Sequence, residues 1–322
     1  YLYNVKRITE RLKLTQESVF LSVLPMAHNF ALGNPGILGT LCSGGTVVIC
    51  NDIAAMEIFS LIEETKVTFT AFVPSILKMC LEYRILDDGD DISSLQQVLV
   101  GGAMLPEETA RQVDLVLGGK LIQVFGTAEG LICTNSMDDS YETPQVWIDC
   151  QIAEENGGVA VNWDYRTGVF LQNVIRDMFE AFERVLKRLG KKDNTVLKET
   201  DPIGLPEKTQ AVRNKVNATE RELPESLMAE GFVKSCVLYP NKTALITKDG
   251  EYTYAALKQY VSAVQHTLLE NGLKPGDSAA VMLPKGIWQI AGVLGTLLAG
   301  GVYLPIDSKQ PLQRCNNRVS TS

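Results

Sequence analysis

The chain of 322 residues sets 30 Lys and Arg against 38 Asp and Glu, a formal charge of −8, with a sequence pI near 5.0. That balance argues against a general binder of nucleic-acid phosphates. With 45% hydrophobic and 21% charged residues and a mean hydropathy of +0.04, wholesale disorder is excluded and the length suits about two packed domains. The 7 cysteines are scattered without a C-x-x-C pair and the 2 histidines, His28 and His266, lie far apart; neither a disulfide framework nor a structural zinc site is expected. No apolar run reaches the roughly 20 residues that span a bilayer, and no charged start precedes an apolar stretch. The expectation is a cytoplasmic chain without a membrane span, opening at Tyr1 within a longer protein.

From residue 19 to 135 the chain alternates β-branched runs (VFLSVL, GTVVIC, VTFTAFV, QQVLV, KLIQVF) with helical patterns (MEIFSLIEETK, PSILKMCLEYR, PEETARQVDLVL). This alternation predicts an α/β fold with a parallel sheet covered by helices. Pro74 and Pro106 mark helix starts, and Glu107 and Glu108 suit a first turn.

After Asp138, WIDCQIAEENGGVAVNWDY reads as two strands joined through Asn156-Gly157-Gly158, a hairpin signal. An amphipathic helix follows, with Val174, Met178, Phe182, Val185 and Leu189 on one face. Residues 190–199 and the Pro-punctuated stretch to Pro224 read as a connector of low structural content, and Cys150 as a small buried residue. From about Ala229 the α/β pattern returns: TALITK, a turn at Asp249-Gly250, YTY, a helix through Leu257, Val261, Val264 and Leu268, a strand SAAVML, a buried helix from Lys285 to Ala299 and a strand VYLPID. Lys285 reads as a helix-start surface charge and Asp307 as a strand-end turn. The QRCNNRVSTS ending is polar and patternless.

Three strand ends carry candidate chemistry, since ligands bind at such ends in open α/β sheets. The first is Leu24-Pro25-Met26-Ala27-His28-Asn29-Phe30, which sets an imidazole beside a carboxamide. The second is Val100-Gly101-Gly102-Ala103, where paired glycines admit a ring or phosphate close to the backbone; a tight turn without a ligand explains them equally well. The third is Gln123-Val124-Phe125-Gly126-Thr127-Ala128-Glu129-Gly130, whose hydroxyl and carboxylate are hard oxygen ligands of the kind Mg²⁺ takes.

Taken together with the opening YLYNVKR, the AHNF phrase, the NPG-ILG-T block, LVGGAMLPEETARQV and QVFGTAEGL, these motifs resemble the adenylate-forming superfamily. They are most similar to the aryl-acid (2,3-dihydroxybenzoate or salicylate) AMP ligases of siderophore pathways. The resemblance implies ATP-dependent formation of an acyl adenylate, with Mg²⁺, and transfer of the acyl group to a phosphopantetheine thiol on a carrier-protein domain. It places His28 by the carboxylate and phosphates, Asn29 on the ring 2-hydroxyl, and Gly101, Gly102, Ala103 and Thr127 around the nucleotide. Glu129 would act in catalysis and hold Mg²⁺. Phe30, Asn34, Ala103, Val124, Ala128 and Ile132 would line the aromatic slot; Asn34 stands where a small serine or cysteine is usual, which leaves salicylate and dihydroxybenzoate both open. The Gly/Ser/Thr-rich phosphate loop, a ribose-binding T-G-D and a closing lysine are not found in the stretch that bears the resemblance, so it is not expected to turn over alone.

The phrase Thr143-Pro144-Gln145-Val146-Trp147-Ile148-Asp149 resembles the C-terminal end of a heterocyclization (condensation-like) domain of nonribosomal peptide synthetases, in which Asp149 would assist cyclodehydration. YTYAAL and PGDSAAVMLPKGIWQIAGVLGTLLAGGVYLPID resemble the start of an amino-acid adenylation domain. The resulting expectation is a fragment of a siderophore-type synthetase: residues 1–142 a partial aryl-acid adenylation domain, 143–200 a heterocyclization fragment, 201–226 a linker, 227–312 the N-terminal fragment of an amino-acid adenylation domain and 313–322 a tail. A catalytically inactive remnant that binds a ligand or partner, or an acyl-CoA synthetase, are the alternatives. Half-domains of this kind are expected to leave strand edges uncovered.

Overall fold

The computed structural model describes residues 2–118, 120–126, 132–135, 148–155, 157–165, 167–168, 170, 174–191, 195–198, 207–218, 220 and 227–307. The chain divides into two compact units, one of residues 1–145 with 225–322 and one of residues 146–224.

The larger unit begins with α1 (Leu2–Arg11), which buries Val5 and Ile8. β1 (Val19–Ser22) leads through a loop into α2 (Asn29–Gly33) and α3 (Gly36–Cys42), both almost wholly buried. There follow β2 (Thr46–Ile49), α4 (Ala55–Thr65), β3 (Phe69–Phe72), α5 (Pro74–Leu86), β4 (Gln97–Gly101), α6 (Glu107–Leu117), β5 (Lys120–Gly126) and β6 (Ile132–Thr134). Every residue of β2, β3 and β4 is buried, as in parallel strands covered on both faces. Pro74 occupies the first turn of α5, where its missing N–H costs nothing. Pro106 sits one position earlier than expected, capping α6.

The smaller unit is a ribbon of β7 (Ile148–Glu155) and β8 (Gly158–Tyr165), closed where Glu155 faces Gly158 and Gly157 takes a φ of +76°. It continues into α7 (Val174–Gly190), a 3₁₀ turn at Val196–Lys198 and α8 (Glu207–Asn217). Trp163 of β8 packs edge-on to Phe179, ring centroids 5.4 Å apart, and also meets Phe182. This draws Ile175 and Ala181 inward and leaves Met178 43% exposed, so the buried face of α7 is offset from the expected stripe. Two expectations are corrected. Cys150 is exposed, because β7 turns Asp149 through Glu154 to solvent. α8 is a helix within the supposed connector; its residues 211–217 are all exposed, so it rests on helix propensity and has no apolar stripe to betray it.

The chain re-enters the larger unit with α9 (Glu230–Leu238), β9 (Thr243–Thr247), β10 (Gly250–Thr253), α10 (Tyr254–Glu270), β11 (Ser278–Val281), α11 (Ile287–Leu298) and β12 (Val302–Pro305). The main sheet runs β10-β9-β2-β1-β3-β4-β5-β6. Its strands from β9 to β5 are parallel, and the two edge strands are antiparallel to their neighbours. β11 and β12 form a separate parallel pair joined through α11. One face of the sheet packs on residues from both ends of the chain, including Val5, Leu41, Phe232, Tyr254 and Ile290. The other face packs on α4, α5 and α6 through Phe59, Leu77, Leu81 and Val113. The edge of β2 is not left open: β9 pairs with it, Val47 opposite Leu245 and Val48 opposite Ile246. No described helix is long and apolar enough to cross a membrane.

Candidate functional site

From β1 the chain moves to β2 on one side and then to β3 on the other. β1 therefore stands at the point where strand order reverses. In parallel sheets, helices leaving neighbouring strands toward opposite faces open a crevice beyond the carboxyl ends at such a point. The loop that follows β1 carries the first sequence motif to that edge. His28 caps α2: its Nδ1 accepts a hydrogen bond from the Phe30 backbone N–H at 3.2 Å. With Nδ1 engaged as acceptor, a neutral ring carries its proton on Nε2 and offers a donor on an exposed side chain. Asn29 is half-buried and Phe30 is 7% exposed. Asn34, which caps the far end of α2, is 6% exposed and its Oδ1 has no hydrogen-bond partner.

The glycine motif ends β4, two strands from β1. Gly101 lies opposite Val124 of β5, and a Cβ on it would stand 2.4 Å from the Val124 carbonyl oxygen; close strand packing by itself demands glycine there. Gly102 is different. It is exposed with φ +85°, and among the described residues a Cβ there would meet nothing closer than Val73 at 3.4 Å; Ala103 beside it is exposed too. Val124 is buried in β5. Thr127, Ala128 and Glu129 lie outside the described residues. Among the described residues no cluster of His, Cys, Asp or Glu gathers to hold a metal.

Ile132 borders a groove of about 640 Å³ between α1 and β6, lined also by Tyr3, Asn4, Arg7 and Arg11. His28, Asn29 and Gly102 do not line it. Asp149 belongs to the smaller unit: it faces Asp164 across the ribbon, and the Gln151 Nε2 donates to both carboxylates at 3.1 Å.

Sequence reading missed Lys285. It is no surface charge: its Nζ donates to the Val23 carbonyl at 2.5 Å and to the Cys50 carbonyl at 3.0 Å. Those are the residues immediately beyond β1 and β2, so an ammonium from residue 285 ties together the end of β1, which leads into the His28 loop, and the end of β2, which leads into α4. The one signal available was its position after an apolar strand in the same α/β grammar, at a carboxyl end.

The family model of AMP-binding enzymes matches residues 1–160 and 232–322. Among curated proteins, phenyloxazoline synthase MbtB of Mycobacterium tuberculosis is 39% identical over 178 residues, 55% of this chain and 12% of that protein. The 2,3-dihydroxybenzoate-AMP ligase of Bacillus subtilis is 44% identical over 142 residues, 44% of this chain and 26% of the ligase. Pyochelin synthetase PchF of Pseudomonas aeruginosa is 35% identical over 172 residues, 53% and 9% of the two chains. The apo structure of MbtA from Mycobacterium smegmatis aligns with 51% of this chain and 33% of its own, at 32% identity and a TM-score of 0.42. The chain thus spans a minor part of the length of each of these proteins. With both ends of its larger unit matched by the family model, the chain belongs to the AMP-binding enzymes.

Proposed function

We propose that this chain is part of a siderophore-type nonribosomal peptide synthetase and carries its aryl-acid adenylation site. In the parent reaction the carboxylate of a hydroxybenzoate attacks the α-phosphate of ATP, giving an acyl adenylate and pyrophosphate; a carrier-protein phosphopantetheine thiol then takes the acyl group, forming a thioester and releasing AMP. The observation that carries the reading is the arrival of His28–Asn29 and of Gly102–Ala103 at carboxyl ends of one sheet, the first after β1, where the strand order reverses, and the second after β4, two strands away. The 44% identity to a 2,3-dihydroxybenzoate-AMP ligase over this stretch supports the substrate class.

In this reading the Nε2–H of His28 donates to the carboxylate or phosphate oxygens, and the Asn29 carboxamide meets the ring 2-hydroxyl. Gly102, glycine by conformation, admits the flat base. Asn34 brings a buried carbonyl oxygen without a donor; an unmet buried acceptor costs about 1–3 kcal/mol, and a further ring hydroxyl would supply the missing proton. Glu129 is the proposed Mg²⁺ ligand. Asp149 is the proposed heterocyclization residue, with its partners on other domains.

The test is calorimetric titration with hydroxybenzoyl-sulfamoyl adenosines, stable mimics of the acyl adenylate. Saturable binding is expected for the 2-hydroxy and 2,3-dihydroxy compounds, stronger for the latter, and lost in Asn29→Ala and Gly102→Leu. Equal heats for wild type and both variants, or no binding of either mimic, would sink the reading.

A further inference from the structure

We infer that residues 227–307 are a docked complement to residues 2–126, held on the β2 edge and α3 by recognition that does not depend on chain continuity. Two stretches that each read as part of a different domain close one sheet. The peptide joining them runs from β6, at one edge of the sheet, to the β9–β10 hairpin at the opposite edge. That connection contains the smaller unit, residues 146–224; it keeps the two stretches in one molecule and so raises the local concentration of the hairpin without dictating where it lands.

What fixes the landing is a set of hydrogen bonds to backbone atoms. The Tyr254 hydroxyl donates to the Gly45 carbonyl at 2.7 Å and lies 3.3 Å from the Leu41 carbonyl. Lys242 Nζ donates to the Gly44 carbonyl at 2.7 Å and to that of Gln16. Lys285 Nζ bonds the Val23 and Cys50 carbonyls. In the reverse direction, the Thr46 hydroxyl donates to the Thr243 carbonyl at 2.7 Å. Backbone carbonyls are offered by any sequence of this fold, so a stretch that resembles the start of one adenylation domain can complete the middle of another. Shape completes the fit. A Cβ at Gly231 would stand 2.6 Å from the Cys42 Cβ, and one at Gly44 would stand 2.6 Å from the Tyr239 ring. The occupant of this surface is the chain's own last stretch.

The full chain with a protease site inserted after Glu220 tests this. Before cleavage it is expected to elute as a monomer by light scattering. After cleavage the two pieces are expected to co-elute one to one, with the amides of Leu245 and Ile246 as protected from hydrogen exchange as in the uncut chain. Adding Tyr254→Phe with Lys285→Met is expected to shift the concentration at which the nicked pieces part by about tenfold or more, while the uncut variant stays monomeric. Separation of the wild-type pieces in native buffer, loss of protection at 245–246, a dimer before cleavage, recovery as aggregate, or no shift in the double variant would each overturn the inference.

Discussion

Gly101 and Gly102 are adjacent, yet they are glycines for unrelated reasons. At Gly101 the obstacle is the Val124 carbonyl 2.4 Å from a would-be Cβ; it belongs to the backbone of a paired strand and cannot step aside without parting β4 from β5. At Gly102 no described residue crowds a Cβ, but φ is +85°, a region that costs a residue with a side chain about 1–2 kcal/mol. Gly101→Ala is therefore expected to lower stability by about 1–3 kcal/mol as an overpacking change, read from the urea midpoint. Gly102→Ala should cost no more than its backbone strain and should weaken binding of an acyl-adenylate mimic by a larger factor than it moves the midpoint. Equal effects of both on stability, with binding untouched in Gly102→Ala, would separate the second glycine from the site. Both glycines stand out in the sequence, but their different reasons do not, since the carbonyl that excludes a methyl from Gly101 comes from a strand over twenty residues later.

At the scale of elements, α10 and α11 lie against each other because Gly295 has no side chain: a Cβ there would stand 2.8 Å from Val264 Cγ1 and 3.0 Å from the Val261 carbonyl oxygen. Gly295→Ala is expected to force the helices apart and cost about 1–3 kcal/mol, visible as a lower urea midpoint with unchanged slope; full stability in that variant would mean the pair separates freely. α11 itself was readable as an apolar run too short for a membrane, and the structure buries it from Ile287 through Thr296, with Trp288 the exception. α7 was readable as a helix but not in its rotation, which Trp163 sets through Phe179 and Phe182. α8 left no periodic trace: its residues 211–217 are all exposed.

For the whole molecule, the two compact units call for two transitions. Trp288 belongs to the larger unit and Trp147 and Trp163 to the smaller, so fluorescence of Trp288→Phe follows the smaller unit alone. Its urea transition is expected to differ in midpoint from that seen by far-ultraviolet circular dichroism; coincident transitions would make the chain one cooperative block. The larger unit should also weaken in alkali. Burial pushes the thiols of Cys42, Cys50 and Cys236 up to about 11 and that of Cys80 to about 12, from an ordinary 9.0, and raises the Tyr254 phenol as well. In the unfolded chain these thiols ionise near 9.0, so the folded state binds more protons above that pH. Their contribution is full below pH 9.0 and is lost as pH climbs toward 11 and 12. A urea midpoint that does not fall across this window would contradict the burial of these groups.

The sequence by itself determined the alternation of strands and helices and the kinship with AMP-binding enzymes. Each of these is written in local pattern: β-branched runs, first-turn prolines and glutamates, and short motifs at turns. Only the tertiary structure decided that β9 closes the β2 edge, that Lys285 reaches Val23 and Cys50, and that Cys150 faces solvent. The first two depend on which surfaces meet across roughly two hundred residues or more; the third depends on how the ribbon turns β7 to solvent. Backbone carbonyls, which receive Tyr254, Lys242 and Lys285, are the same in every sequence and leave no mark in it.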